Sequence, residues 1–220
     1  MINIPPSAGI VCEEGSILAG CWEAAEEEIR FAEKFGPKRR REFLTGRTYA
    51  RRALCRLTGI APTPPTPLLL GADRCPLWPE GVIGSIAHTD DYCAVIVAQA
   101  STADSIGLDV EALARVQENI REKVCTRSEL DGLDVAALAT RQRRLALIFS
   151  AKEAFYKMQH ALTKSWLGFQ DVTVTFPADG CFTVELLTNA GAVFNKGKEF
   201  SGNYAFTPVH VGTWMALKNS

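Results

Sequence analysis

Two acidic residues near the middle of the chain have the spacing of paired metal ligands. Residues 106–111, Ile-Gly-Leu-Asp-Val-Glu, alternate apolar with small or charged residues, a pattern that predicts a strand. A strand directs residues i and i+2 to the same face, so Asp109 and Glu111 are expected to project together. Taken alone, an Asp-x-Glu pair at the end of a strand is more often a solvated sheet edge.

A third carboxylate lies in residues 149–158, which are predicted to be helical. Glu153 and Lys157 are four residues apart and are therefore neighbours on the helix surface, with Lys152 next to them. Alone, they form an exposed ion pair worth about 0.2–0.5 kcal/mol. If this helix packs on the acidic face of the strand, three carboxylates meet and require a cation. An all-oxygen site with few protein ligands is typical of Mg²⁺, which usually also binds substrate phosphates.

A strongly basic helix is predicted at residues 38–57. Its residues Arg40, Arg47 and Arg51 follow the spacing i, i+7 and i+11, which brings them close to one face. Such a run is often only a solvated charged face. The functional interpretation is a phosphate site, because the planar guanidinium group can donate two hydrogen bonds to phosphate oxygens.

Hydrophobic periodicity and turn residues predict the elements that carry these side chains. The polar residues 99–105 are the best candidate for a boundary between two lobes. Ser128 is expected to cap a short turn that precedes the long helix. The remaining helices are predicted at 22–35, 118–124 and 135–162, and the strands at 10–12, 68–70, 82–87, 92–98, 171–176, 181–187, 204–207 and 210–217.

Composition excludes several classes of function. The chain has 220 residues, of which 47% are hydrophobic and 22% charged, and its net charge of −1 provides no global basic field for nucleic acid. Seven scattered cysteines without a Cys-x-x-Cys pair indicate reduced thiols and a cytoplasmic protein. No charged segment precedes an apolar core as in a secretory signal, and no apolar run approaches the roughly 20 residues of a membrane helix.

The two acidic motifs together resemble the signatures of the 4′-phosphopantetheinyl transferase superfamily. The resembling residues are Ile-Gly-Leu-Asp-Val-Glu at 106–111 and Phe-Ser-Ala-Lys-Glu-Ala-Phe-Tyr-Lys at 149–157. Further matching pieces follow in the family's order, so that the resemblance extends from about residue 37 to residue 176; they lie at 37–43, 46–47, 51, 76–79, 84–88 and 166–169. The type resembled is the monomeric, two-lobed one that serves siderophore, polyketide, nonribosomal peptide and fatty-acid or mycolate synthesis.

The resemblance implies an α+β fold. Two similar α/β lobes in one chain would be related by pseudo-two-fold symmetry, with the active site at the lobe interface. Residues 1–103 would form the N-terminal lobe on the nucleotide side of coenzyme A. Residues 104–220 would form the C-terminal lobe with the metal site and the catalytic helix.

The resemblance also implies a reaction and a metal site. The enzyme would transfer the 4′-phosphopantetheine group of coenzyme A to a serine of an apo carrier protein and release adenosine 3′,5′-bisphosphate. Mg²⁺, or Mn²⁺ in its place, would be held by Asp109, Glu111 and Glu153. Glu153, or a water bound to the metal, would take the serine proton, and Lys157, together with Lys152, would stabilise charge on the pyrophosphate.

Further residues are assigned to coenzyme A by the same resemblance. Arg39 and Arg47 would hold the adenosine 3′-phosphate, and His88 would contact a phosphate. Some relatives have a lysine where this chain has Leu70, which makes Arg74 the contact expected in that loop. The partners would be acyl carrier proteins or the peptidyl and aryl carrier domains of polyketide and nonribosomal peptide synthases. These partners are acidic, so docking on the basic helix or on the residues after Glu111 should weaken with salt.

Two other function classes stay open at this point. A different Mg²⁺-dependent phosphoryl enzyme acting on a small nucleotide would share the carboxylates and arginines without a protein acceptor. A catalytically decayed binder of coenzyme A or of a carrier protein would bind without turnover. The complete set of three carboxylates argues against decay, whereas the replacement of a usual hydroxyl residue by Ala87 leaves room for it.

Overall fold

The fold combines helices and antiparallel sheets in two compact units. The computed structural model describes residues 1–4, 9–61, 65–191 and 193–218. The first unit consists essentially of Asn3–Ile106, and the second of Gly107–Leu217 together with Ile2. The α+β class matches the expectation, and the division falls inside a strand, three residues after the boundary expected at 103/104.

The first unit is built from a three-stranded sheet and two helices in its described part. The sheet is antiparallel throughout and has the order β1-β3-β2. Its elements, in chain order, are β1 (Ile10–Ser16), α1 (Glu26–Ala32), α2 (Pro37–Thr58), β2 (Val82–His88) and β3 (Tyr92–Gln99).

Helix α2 covers the sheet of this unit. Pro37 occupies its first turn, where a missing N–H costs nothing, and Gly59 ends it in the left-handed conformation at φ 72°. Its apolar stripe packs on the buried central strand β3, and the side chains of α2 and β3 form one hydrophobic core. The members of that stripe include Tyr49, Ala50 and Ala53. One face of α2 is therefore fixed toward the sheet, and its arginines are distributed around the rest.

The second unit contains a five-stranded sheet with the order β4-β8-β7-β6-β5. Its long helix α5 packs against β8 and shares core clusters with the sheet. The elements are β4 (Ser105–Ala112), α3 (Arg121–Val124), α4 (Arg127–Asp134), α5 (Leu138–Thr163), β5 (Val172–Ala178), β6 (Cys181–Leu186), β7 (Glu199–Phe206) and β8 (His210–Leu217). Two 3₁₀ turns, Leu113–Arg115 and Glu118–Ile120, lie between β4 and α3.

Two local expectations are wrong. Residues 68–70 do not form a strand: among the described residues, Leu70 makes an isolated bridge to Pro76 and no ladder. The cap of α4 is Thr126 instead of Ser128: the Thr126 side chain and Glu129 form a capping box, the Ser/Thr-x-x-Glu pattern at a helix start. No helix in the described ranges combines the length and apolarity that a membrane crossing demands.

Candidate functional site

Strand β4 and helix α5 approach each other closely at Gly107. A Cβ atom added at Gly107 would lie 1.9 Å from the carbonyl oxygen of Ala154 and 3.0 Å from Cβ of Met158. Only glycine permits this contact, since any side chain would collide with the backbone of α5. The strand that carries Asp109 and the helix that carries Glu153 are thereby held at minimal separation.

The Asp109 carboxylate is buried and only half satisfied. Asp109 is only 6% exposed to solvent. Its Oδ1 atom accepts a hydrogen bond from Nζ of Lys157 at 2.8 Å, and the same Nζ donates to the carbonyl oxygen of Leu108 at 2.9 Å. Its Oδ2 atom is buried and has no hydrogen-bond partner in the described part of the chain. A buried carboxylate oxygen left in this state is costly unless a cation or donor binds it.

The other two carboxylates lie within electrostatic reach of Asp109. Burial raises the pKa of Glu111 from 4.5 to about 8; the charge of Asp109 adds to the rise, Lys157 opposes it, and Glu153 adds further. Burial likewise raises the pKa of Glu153, Asp109 raises it further, and Lys157 opposes the rise. Both side chains are half-buried. The three acids therefore repel one another, and one ammonium group compensates them only in part.

The chemistry of these side chains suits a divalent cation, and the structure places the three acids near one another without gathering one oxygen of each within 4.8 Å of the others. Carboxylate oxygens are the ligands that Mg²⁺ prefers. The Oδ2 atom of Asp109, which accepts no hydrogen bond from the described residues, can serve as such a ligand. A cation among the three acids would remove their mutual repulsion and would lower the pKa of Glu111 and Glu153. Lys157 binds the opposite oxygen of Asp109 and so orients Oδ2.

Lys152 does not belong to this cluster, which corrects its expected role at the pyrophosphate. Its side chain has 0% exposure, and its Nζ donates to three acceptors: Oε2 of Glu129 at 2.8 Å and the carbonyl oxygens of Val124 and Phe169 at 2.8 and 2.7 Å. The reason is helical geometry, because successive residues point about 100° apart and do not share a face. Lys152 therefore has no ammonium proton left for coenzyme A.

Arg47 is the most deeply buried of the arginines expected to bind phosphate. It has 3% exposure, its guanidinium carbon lies 4.3 Å from the ring centroid of Phe43, and its Nε donates to the carbonyl oxygen of Leu68 at 2.5 Å. Its Nη2 atom is buried without a hydrogen-bond partner among the described residues. Burial lowers the pKa of Arg47 to about 10. The buried Nη2 of Arg47 can therefore donate to a bound anion, just as the buried Oδ2 of Asp109 can bind a metal.

Arg39 and His88 lie together at the start of α2 and the end of β2. Nη1 of Arg39 donates to Nε2 of His88 at 2.5 Å and to Oε2 of Glu42 at 3.3 Å. Because arginine can only donate, Nε2 of His88 must accept, which leaves the ring proton on Nδ1. That nitrogen lies 3.7 Å from Oε2 of Glu42. Glu42 thus accepts a hydrogen bond from Arg39 and lies beside the ring of His88.

The remaining arginines differ in their surroundings. Arg51 donates to Oε2 of the fully buried Glu28 at 2.7 Å and to the carbonyl oxygen of Thr66 at 2.8 Å, so it ties parts of the first unit together, while its Nε is buried without a partner among the described residues. Arg40 keeps a buried Nε without a partner in the described ranges. Arg74 is exposed in a turn with φ 64°. Arg40, Arg47 and Arg51 therefore each keep one buried nitrogen without a partner among the described residues, and Arg51 also makes strong structural contacts.

Sequence reasoning missed two residues that shape this region. Glu129 is buried beneath Lys152, although the Thr-x-x-Glu pattern that starts at Thr126 marks it as a capping residue. The packing role of Gly107 was also missed, although a glycine within an apolar strand often indicates close backbone approach.

Comparisons with known proteins cover most of both units. Residues 26–98 match the family model described as the 4′-phosphopantetheinyl transferase N-terminal domain. Residues 105–209 match the model of the 4′-phosphopantetheinyl transferase superfamily.

Individual relatives show the same similarity. The chain is 38% identical over 158 residues to 4′-phosphopantetheinyl transferase Npt of Nocardia iowensis, covering 68% of this chain and 68% of the relative. It is 36% identical over 184 residues to 4′-phosphopantetheinyl transferase Svp of Streptomyces mobaraensis, covering 81% and 72%. It is 35% identical over 156 residues to 4′-phosphopantetheinyl transferase PptT of Mycobacterium tuberculosis, covering 70% and 65%.

Proposed function

The chain belongs to the 4′-phosphopantetheinyl transferase superfamily, and from this premise we propose that it transfers the 4′-phosphopantetheine group of coenzyme A to a serine of an apo carrier protein. The acceptors are acyl carrier proteins or the carrier domains of polyketide and nonribosomal peptide synthases. The single observation that carries the site assignment is the buried, unpartnered Oδ2 of Asp109 within a cluster of acids. The cytoplasm is the proposed location, in line with the scattered cysteines.

Asp109, Glu111 and Glu153 are the proposed ligands of Mg²⁺, with Mn²⁺ as a substitute. When bound, the metal supplies positive charge that offsets the negative charge developing on the pyrophosphate oxygens. Lys157 holds Asp109 in orientation and uses two of its three protons for described acceptors. Its side chain is one-third exposed, so its third proton is available to a substrate oxygen.

Glu153 is the proposed general base. The hydroxyl oxygen of the carrier serine forms a bond to the β-phosphorus, and the bond from that phosphorus to the bridging oxygen of the nucleoside phosphate breaks. The electron pair leaves with adenosine 3′,5′-bisphosphate, and the serine proton passes to Glu153.

The nucleotide end of coenzyme A is assigned to residues of the first unit. Arg47 offers its unpartnered Nη2 to the 3′-phosphate, and Arg39 and His88 bind phosphate oxygens beside it. Arg74 is the proposed contact of the 70–79 loop, where it is exposed. Each assignment rests on the contacts inside that unit, where Glu42 orients Arg39 and Arg39 in turn donates to His88.

A mass-spectrometric transfer assay tests this function. The protein is mixed with an apo carrier protein, coenzyme A and Mg²⁺, and the carrier is weighed; a gain of one phosphopantetheine group is expected. Glu153→Gln, which keeps the size of the side chain, should abolish the gain, whereas the exposed control Glu199→Gln should not. Turnover of coenzyme A without carrier modification would point to a different phosphoryl enzyme, and binding without turnover to a decayed one; either result overturns the proposal.

A further inference from the structure

A buried network surrounds Lys152 on the side of α5 next to Glu153, and the proposed mechanism makes no use of it. Nζ of Lys152 donates to Oε2 of Glu129 and to the carbonyl oxygens of Val124 and Phe169. Glu129 accepts in turn from the backbone N–H of Thr126 at 2.6 Å and of Val174 at 2.7 Å. These contacts are called the Lys152 network below.

Every strong hydrogen-bonding position of the charged pair in this network is filled. The three protons of the ammonium group have three acceptors, and both carboxylate oxygens of Glu129 have donors. The side chains of Lys152 and Glu129 are 0% and 2% exposed. A fully satisfied, desolvated network of this kind has one geometry, since moving any member leaves a buried charge unpaired.

The network joins α5 to four other segments of the second unit. Val124 ends α3, Thr126 and Glu129 begin α4, Phe169 lies in the loop after α5, and Val174 lies in β5. One helical turn further along α5, the hydroxyl of Tyr156 donates to the carbonyl oxygen of Gly168 at 2.7 Å. Helix α5 is thus fixed against both translation and rotation at the turn that carries Glu153.

The rotation of α5 decides where Glu153 points. Side-chain tips lie about 5–6 Å from a helix axis, so a rotation of roughly 20° would move the Glu153 carboxylate by about 2 Å. The same rotation would carry Nζ of Lys152 an equal distance and break its three hydrogen bonds of 2.7–2.8 Å. Because Mg²⁺ demands near-ideal octahedral geometry with bonds of about 2.0–2.1 Å, it would not tolerate such a displacement.

We propose that Lys152 and Glu129 are positioning residues, which fix the rotation of α5 and thereby aim Glu153 at the metal position beside Asp109. The inference rests on the proposed function, because it takes Glu153 to be a metal ligand. Neither residue touches substrate or metal. They act through the backbone of α5, whose rotation sets the direction of the Glu153 carboxylate.

Metal affinity measured without substrates tests the proposal. Free Mn²⁺ is followed by electron paramagnetic resonance, and Mg²⁺ and Ca²⁺ are measured as competitors. Lys152→Met should weaken Mg²⁺ binding by about tenfold, at the low end of the effect of residues that orient metal ligands. Binding of Ca²⁺ should weaken less, because Ca²⁺ tolerates irregular coordination. A merely structural role would lower the affinities for both ions equally.

Two further variants keep the test decisive. Lys152→Met leaves Glu129 as an unpaired buried charge and can prevent folding, so the double variant Lys152→Met/Glu129→Gln removes both charges together. Leu145→Ala is the control: Leu145 lies on α5 itself, two turns before Lys152, and its truncation creates a cavity in the buried core and destabilises the protein without removing a hydrogen bond of the network. The control should keep the ratio of Mg²⁺ to Ca²⁺ affinity of the unmodified protein.

The outcomes separate this proposal from the proposed function. A folded double variant with unchanged Mg²⁺ affinity, or an equal loss for both ions, would overturn the positioning role. Failure of the proposed function would appear elsewhere, as Mn²⁺ binding that Glu153→Gln leaves unchanged in the otherwise unmodified protein.

Discussion

Replacing Gly107 by alanine should leave the protein folded but strongly reduce its catalytic rate. The added methyl group would lie 1.9 Å from the carbonyl oxygen of Ala154, closer than any real carbon–oxygen contact, and the obstacle is backbone instead of a flexible side chain. Because interiors are packed without spare volume, α5 must withdraw from β4 by about 1 Å or more. Overpacking of this kind costs about 1–3 kcal/mol of stability.

The withdrawal separates Glu153 from Asp109, which lie directly beside the contact point on α5 and β4. A misplacement of about 1 Å can cost on the order of 100-fold in rate. We therefore expect kcat/KM for carrier modification to fall by about that factor, while the Mg²⁺ concentration needed for half-maximal activity rises. Circular dichroism and thermal unfolding should report a folded, moderately destabilised protein.

Gly132→Ala provides the matched control. Gly132 lies in α4, and a methyl group there would meet no atom within 4 Å. Alanine in a helix is favoured over glycine by roughly 0.5–1 kcal/mol, so this variant should be slightly more stable and fully active. If Gly107→Ala is folded and retains both the rate and the Mg²⁺ dependence of the unmodified protein, the reasoning from the close contact is refuted.

Three further predictions follow from the site. In the presence of a chelator, thermal stability should fall as the pH rises from about 5 to about 8, because the raised pKa of Glu111 lets the folded protein keep a proton that the unfolded chain loses; the resulting stabilisation is complete at low pH and lost above about 8. Either Mg²⁺ or Glu111→Gln should flatten this pH dependence, and a flat curve without either would contradict the prediction. Arg47→Met should raise KM for coenzyme A by about 10–100-fold but leave KM for 3′-dephospho-coenzyme A nearly unchanged, and equal effects on both substrates would exclude a 3′-phosphate contact. Added salt should raise KM for an acidic carrier protein without lowering kcat, and Arg41→Glu on the exposed face of α2 should do the same, whereas Arg127→Glu should not.

The long elements could be predicted from the sequence because their apolar periodicity is sustained. The pattern of 38–57 predicted α2, which spans Pro37–Thr58, and the two apolar runs after residue 82 predicted the β2–β3 hairpin. The run 68–70 is also apolar, but within the described ranges its pairing is limited to the isolated bridge between Leu70 and Pro76. Tertiary pairing, which no local pattern contains, decided that case.

The sequence predicted which carboxylates lie near one another in the candidate site, but not which side chains support them. The strand period placed Asp109 and Glu111 on one face, and the structure brings them into the electrostatic field of Glu153. The prediction that Lys152 points toward the same site as Glu153 was wrong, because adjacent residues on a helix point in different directions. Its partner Glu129 is 23 residues away, and only the three-dimensional packing of α4 on α5 brings the two together.

The location of a bound metal tests the central claim most directly. Crystals grown with coenzyme A and Mn²⁺ would reveal the ion by its anomalous scattering. The account predicts one peak within bonding distance of Oδ2 of Asp109, with oxygens of Glu111 and Glu153 completing the protein ligands. A peak away from Asp109, or full transferase activity in a protein whose three carboxylates bind no metal, would contradict it.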